Sequence, residues 1–419
     1  MSTPAGAHAA PLHPQAALLK HPRRAVVVGA GLAGSAAAYS LAQRGWQVQV
    51  LDAASTPAAG ASALPAGLIA PHVSPDDAPL SRISRAGVRA TLERLTALLP
   101  AGTDWAATGV LERRVEHARA LPPCAPGSPN GMDDWSVEAS PERLAQAQLD
   151  QLQPATSALW HPCGAWMRPA RLVQAQLAQP GIEWRGGCAV AGLQPTPDGW
   201  TLFDAHGQTL AQAPLVVLAA GFAVRALLAG TDGAATQAGT EAGSPLPLHA
   251  LRGQVSWGLL DELPTTTRAA LPPWPVNGYG SFLHGMLGPD GAPMWIVGST
   301  FERSNSSAAV TEADHAANQA RLQRLLPHLG ALMQPAFLKA QGWAAVRCTL
   351  PDRLPAVGAL DALRWPGLHV LTGLGARGLT LSVLAGEVLA AQLHGEPWPL
   401  EPRLAQMLLA QRFSRRSKP

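Results

Sequence analysis

The chain has 419 residues, 47% hydrophobic and 14% charged, with a formal net charge of +3; this describes a well-buried globular protein of two domains or one composite domain and excludes a disordered one. Cys124, Cys163, Cys188 and Cys348 are scattered, with no CxxC or metal-like spacing, so no metal and no disulfide framework is expected and a reducing cytoplasm fits. No run reaches the roughly 18 apolar residues a membrane helix needs, and so small a net charge neither demands nor excludes a nucleic-acid partner.

Residues 1–22, rich in Ala and Pro, read as a disordered leader without the charged and apolar blocks of a signal peptide. A buried strand at 24–29, a turn, a helix at 32–44 and a strand at 47–51 form a βαβ unit. A helix at 78–98 and a strand at 104–115 follow, then a loop at 120–134 marked by Pro, Gly and Asn. Helices are expected at 141–152 and 169–179, the second with Pro169 in its first turn. Strand-like alternation runs through 182–190, 200–204 and 208–212, and a continuous apolar strand, "PLVVLAAG" at 214–221, returns to a glycine turn. Residues 231–247 read as an Ala/Gly/Thr-rich insertion and mobile loop. From 248 to 302 the pattern is β, with a helix expected at 311–326 and strands near 343–348 and 368–372. The chain then closes with "GLGARGLTLSVLAGEVLAAQL" at 373–393, a second glycine-rich turn running into an amphipathic helix.

Gly29, Gly31 and Gly34 fit GxGxxG between a strand and a helix. The first allows the tight turn, the second admits a pyrophosphate to the backbone, and the third lets helix pack on strand. Helix N–H groups and dipole then face the phosphates. Asp52, at the end of the second strand, stands where an acid hydrogen-bonds a ribose diol. The fingerprint admits FAD or NAD. The strand returning at Gly221 and the closing turn, with Gly373, Gly375, Gly378, Leu379 and Thr380, favour FAD, the two turns holding different parts of one dinucleotide. Ser62, Gly67 and Leu68 in "ASALPAGLIA" are expected along the flavin, an ordinary loop being the alternative.

These segments resemble the D-amino-acid-oxidase-like (DAO) family of flavin amine oxidases. "GASALPAGLIAPHVSPDDAPLSRISRAGVR" at 60–89, "LWHPCGAWMRPARL" at 159–172, "LRGQVS" at 251–256, "VGSTFERSNSSAAVTEADHAANQARLQRLLP" at 297–327 and "VRCTLPDRLPAVG" at 346–358 resemble more closely the FAD-dependent half of the MnmC family, bifunctional enzymes that modify the wobble uridine of tRNA. The likeness spans about 24–412, with the motifs in the same order. It departs at Ala165, where the family often has Gly, in a longer insertion at 231–247, and in lacking a methyltransferase half, so that any methylation is expected from a separate methyltransferase or not at all.

The resemblance implies an α/β fold of DAO and glycine oxidase type, a Rossmann-like FAD-binding domain interleaved with an antiparallel-sheet substrate domain. The expected division is 23–100, 150–225 and 340–412 for cofactor, 101–149 and 226–339 for substrate, and a basic tail at 413–419. It also implies non-covalent FAD and a tRNA anticodon loop as substrate. The carboxymethyl group of 5-carboxymethylaminomethyl(-2-thio)uridine would be oxidised off as glyoxylate, leaving 5-aminomethyl(-2-thio)uridine. Arg347 matches the carboxylate-binding arginine of glycine oxidase-like relatives, a role that suits a planar guanidinium. Arg377, between Gly375 and Gly378, is the second candidate; an internal salt bridge is the alternative for each. Tyr279 and His284 are placed on the substrate side, with buried structural roles equally open. Arg82, Arg85 and Arg89, at i, i+3 and i+7, share one helix face that suits RNA phosphates or is simply solvated. Arg113, Arg114 and the tail add positive charge. Two other readings stay open: an oxidase or dehydrogenase of free glycine, sarcosine or D-amino acids, and a non-catalytic flavoprotein or RNA-binding scaffold.

Overall fold

A computed structural model of the chain describes residues 18, 23–113, 115, 135–152, 158–231 and 245–414. The loop at 120–134, most of the leader and of the insertion at 231–247, Arg114 and residues 415–419 of the basic tail lie outside the described residues.

Continuous apolar runs such as "RAVVV" and "LVVL" suit strands covered on both faces. They build a six-stranded sheet in the order Ala356–Ala359, Leu368–Thr372, Leu215–Leu218, Arg24–Val28, Gln47–Leu51, Ile182–Arg185. All neighbours are parallel except the first pair. One face is covered by helices Leu32–Ala42, Pro79–Leu98 and Gly378–His394, whose apolar side chains share a core with Val27, Val50 and Val217. The closing helix, expected to be amphipathic, is buried on nearly every side. Small residues let it approach the first helix; a Cβ added to Gly386 would stand 2.7 Å from the Ala36 carbonyl oxygen. Its Glu387 binds Arg94 at 2.7 Å, Arg44 at 3.0 Å and the Ser40 hydroxyl at 2.7 Å. The opposite face carries an antiparallel meander, Gly192–Thr196, Gly199–Phe203 and Thr209–Ala213, docked through Trp200 and Leu202.

The second layer is a nine-stranded mixed sheet centred on His249–Leu259, Pro293–Gly298 and Ser281–Leu287. Gln341–Thr349, which the sequence grouped with the cofactor-binding part, pairs antiparallel along His249–Leu259 in this sheet and carries Arg347 opposite Leu251. Val110–Glu112 and Leu159–His161 join its far side. Elements that escaped the sequence reading include the strands Gly192–Thr196, Ala165–Met167 and Ala356–Ala359 and the helices Val224–Gly230, Pro402–Leu408 and Pro327–Phe337. In the last, Pro327 starts a helix instead of ending one, because its missing N–H is harmless in a first turn. No helix among the described residues is long and apolar enough to cross a membrane.

Candidate functional site

The two sheets enclose a cleft of ≈ 1040 Å³ that runs from Asp52 past both glycine-rich turns to Arg347. At one end, Gly29 has φ +109, and a Cβ there would lie 2.7 Å from the Ala219 carbonyl oxygen. A Cβ on Gly34 would overlap the Gly29 carbonyl oxygen, so the third glycine brings helix onto turn and does not itself line the cleft. The Ala30 N–H donates to Asp52 Oδ2 at 2.6 Å and the Ala54 N–H to Oδ1 at 2.8 Å. A carboxylate has about four acceptor sites, so its position at the cleft wall leaves acceptor capacity toward a diol. The Ser62 hydroxyl accepts from the Leu32 N–H at 2.9 Å, capping the first helix from outside. Ser62, expected along the flavin, borders the cleft with its hydroxyl at this helix start.

Gly31, Gly67, Leu68, Gly221, Gly373, Gly375, Gly378, Leu379 and Thr380 all border the same cleft. The N-termini of Leu32–Ala42 and Gly378–His394 therefore open onto one cavity, each presenting the positive end of a helix dipole. The residues present fit a dinucleotide: a cleft at the C-terminal ends of parallel strands, an acid at the second strand, and two helix starts bared by glycine.

At the other end stand two arginines. The Arg347 Nη2 donates to Ser299 Oγ at 2.7 Å, while Nη1 is buried with no hydrogen-bond partner. Among the described residues no acid pairs with Arg347, and burial pulls its pKa down to about 10, so the group stays cationic at neutral pH. Gly253 makes room for it, since a Cβ there would collide with Nη1. Arg377, at the start of the closing helix, also borders the cleft; burial lowers its pKa, and nearby Arg353 lowers it further. Among the described residues neither arginine forms an ion pair with an acid, which disfavours the internal salt bridge held open for both.

The sequence missed Asn277, Ser281, Ser299 and Phe301, which border this end of the cleft. Asn277 Oδ1 is buried without a hydrogen-bond partner. Nothing local marks these four: they are ordinary residues of strands and turns, brought to Arg347 only by sheet pairing. Cys348 also borders the cleft, its thiol pKa raised by burial.

Tyr279 and His284 are not part of the lining. The Tyr279 hydroxyl accepts from Arg324 Nη1 at 2.7 Å, with the Arg321 guanidinium 5.3 Å from its ring. His284 Nε2–H donates to the Pro272 carbonyl at 2.7 Å, and burial lowers its pKa. Arg82, Arg85 and Arg89 line a separate surface depression of ≈ 350 Å³. Arg85 pairs with Asp77 at 2.7 Å, Arg82 with Glu401, and Arg89 lies 5.6 Å over the Trp135 ring. Arg113 donates to the Arg324 and Leu325 carbonyls. The arginine stripe is thus held by intramolecular partners and does not converge on the cleft.

The family described as FAD dependent oxidoreductase, DAO, matches residues 24–392. The tRNA 5-methylaminomethyl-2-thiouridine biosynthesis bifunctional protein MnmC of Polaromonas naphthalenivorans is 49% identical over 94% of this chain and 60% of its own length. The protein of the same name from Paracidovorax citrulli is 49% identical over 94% of this chain and 61% of its length. The chain thus spans about three-fifths of the curated relatives it matches. Among solved structures, glycine oxidase from Bacillus cereus superposes with a TM-score of 0.68 at 18% identity, covering 92% of this chain and 98% of that one. L-proline dehydrogenase from P. horikoshii gives 0.69 at 16% identity, covering 94% and 98%. Both share the fold.

Proposed function

The chain belongs to the DAO family of FAD-dependent oxidoreductases, and on that premise we propose that it oxidises the carboxymethylaminomethyl group of a wobble uridine in tRNA. The products are glyoxylate and 5-aminomethyl(-2-thio)uridine. The geometric observation that carries an amino-acid-like substrate is the buried, cationic Arg347 bordering the cleft, with no acid beside it among the described residues and Nη1 without a hydrogen-bond partner. The 49% identity to proteins named for tRNA 5-methylaminomethyl-2-thiouridine biosynthesis supports RNA as the carrier of that substrate.

FAD, when bound, supplies a two-electron acceptor for the hydride of the methylene between amine and carboxylate. Gly29, Gly31, Asp52 and Gly221 would hold its nucleotide portion, and Gly67, Leu68 and the turn from Gly373 to Thr380 the rest. The chain's own part is to aim the arm. Arg347 takes the carboxylate, its plane fixed by Ser299. Asn277 Oδ1 accepts the N–H of a neutral secondary amine, leaving the nitrogen lone pair to assist loss of hydride. Asp52 is the only carboxylate bordering the cleft among the described residues, no histidine borders it, and Asp52 belongs to the opposite end. The lining therefore presents no general base beside Arg347, and the amine binds already neutral. The resulting imine adds water and splits into primary amine and glyoxylate. With its thiol raised by burial, Cys348 is a poor nucleophile, which supports non-covalent FAD.

The test uses the purified yellow protein with tRNA bearing carboxymethylaminomethyl-uridine, beside free glycine, sarcosine and D-alanine. Flavin bleaching without oxygen and glyoxylate release are followed. Both signals with the tRNA and none with the free amino acids is the expected result. Bleaching by a free amino acid alone would assign the cleft to metabolic amine oxidation instead.

A further inference from the structure

The turn after Pro293–Gly298 ends in Phe301, whose ring borders the cleft with half of its surface, 51%, exposed. Large exposed apolar side chains elsewhere in the described chain, such as Val310, Leu338 and Leu363, do not border it. Exposed aromatics at the rim of a cleft are platforms for flat ligands, since a ring offers a stacking face to any base. Phe301 also lies against the anchor: the Arg347 Cζ is 5.1 Å from its ring centroid.

The length of the substrate arm sets how far its ring stands from the anchor. Four bonds join the uracil C5 to the carboxylate carbon through methylene, nitrogen and methylene, an extended span of about 5 Å from ordinary bond lengths. A carboxylate on the Arg347 guanidinium therefore leaves the ring from which the arm hangs at the level of Phe301 and the cleft mouth. A free amino acid has no ring to place there.

Resting on the tRNA reading above, we infer that Phe301 is the platform on which the target pyrimidine stacks, making it the residue that selects an amino-acid arm attached to a ring over a free amino acid. The stripe of Arg82, Arg85 and Arg89 does not supply this selectivity, being paired elsewhere. A base splayed from a single-stranded loop is recognised in general by such stacking combined with polar contacts at its edge.

The probe is N-benzylglycine, which carries the same four-bond arm on a plain aromatic ring, compared with sarcosine. Dissociation constants are read from the change in flavin absorbance, with glyoxylate release from the modified tRNA measured in parallel. Wild type should favour N-benzylglycine by tenfold or more. Phe301→Ala should collapse that ratio toward one and raise KM for the tRNA by tenfold or more, the range of a lost base–aromatic stack. Phe301→Trp should restore both. If wild type acts on the tRNA while Phe301→Ala keeps the ratio and KM of wild type, the platform is wrong and the tRNA reading stands. Wild type inert toward the tRNA and indifferent to the ring would overturn the tRNA reading and the platform with it.

Discussion

Replacing Arg347 by Met should make the protein more stable and nearly inactive. Burial lowers the guanidinium pKa from its ordinary value to about 10. At about 1.4 kcal/mol per pKa unit, the buried cation therefore costs the folded state about 3 kcal/mol at neutral pH, where it is charged both folded and unfolded. Met keeps most of the apolar stem and removes the charge. It also gives up the bond to Ser299, worth about 1 kcal/mol. The net expectation is a gain of about 1–2 kcal/mol, by the same logic that makes unpaired buried charges expensive. Binding moves the other way: two charge-assisted hydrogen bonds to a carboxylate at about 1.5–3 kcal/mol each put the fall in kcat/KM at about a hundredfold or more. Urea unfolding of the flavin-loaded proteins, with substrate turnover on the same preparations, measures both. A variant that loses 1 kcal/mol or more of stability would show that the guanidinium is a structural prop. A variant that keeps wild-type turnover would remove Arg347 from substrate binding.

The same pKa sets a pH limit. Arg347 binds carboxylate only when protonated, so affinity for glycolate, which has no amine to titrate, should be level near pH 8 and fall about tenfold per pH unit above about 10; an unchanged affinity at pH 11 would contradict this. Gly34→Ala forces a methyl group onto the Gly29 carbonyl oxygen, so the variant should purify with little flavin, read from the ratio of absorbance at 450 and 280 nm, the wavelengths at which flavin and protein absorb. Acid precipitation should leave all the flavin in the supernatant, the buried Cys348 thiol forming no bond to it; colour retained in the pellet would refute this. Glu387→Ala strands Arg94, whose side chain is 8% exposed, without an acid, while Arg44 keeps Glu396 at 2.8 Å. A loss of about 3 kcal/mol or more in urea unfolding is expected, as for breaking one side of a buried ion pair.

Much of the cofactor end was legible in the sequence because its demands are local. A left-handed turn at Gly29, a Cβ-free contact at Gly34 and an acid at the end of the next strand are backbone requirements written within some 25 residues. The closing turn is equally local, and its glycines border the same cleft as the first set. The FAD-dependent family and its fold followed from those segments in order. Arg347 was reached through resemblance, since an arginine in a strand carries no mark of its own.

What the tertiary structure alone decided lies at the substrate end. Asn277 and Tyr279 are two residues apart, as if sharing a face, yet the φ of +120 at Gly278 breaks the alternation. Asn277 borders the cleft while Tyr279 packs against Arg321 and Arg324. The helical spacing of Arg82, Arg85 and Arg89 fixes a shared face, but not that Asp77, Glu401 and Trp135 meet it. Ser299 reaches Arg347 across 48 residues, and Phe301 stands beside the same guanidinium. Backbone geometry is encoded by the residues that adopt it; the partners of a side chain are set by sheet register and helix docking summed over the whole chain. The sequence by itself therefore determined the glycine-rich turns and the acid at the strand end, whereas only the folded chain decided which groups border the cleft beside Arg347.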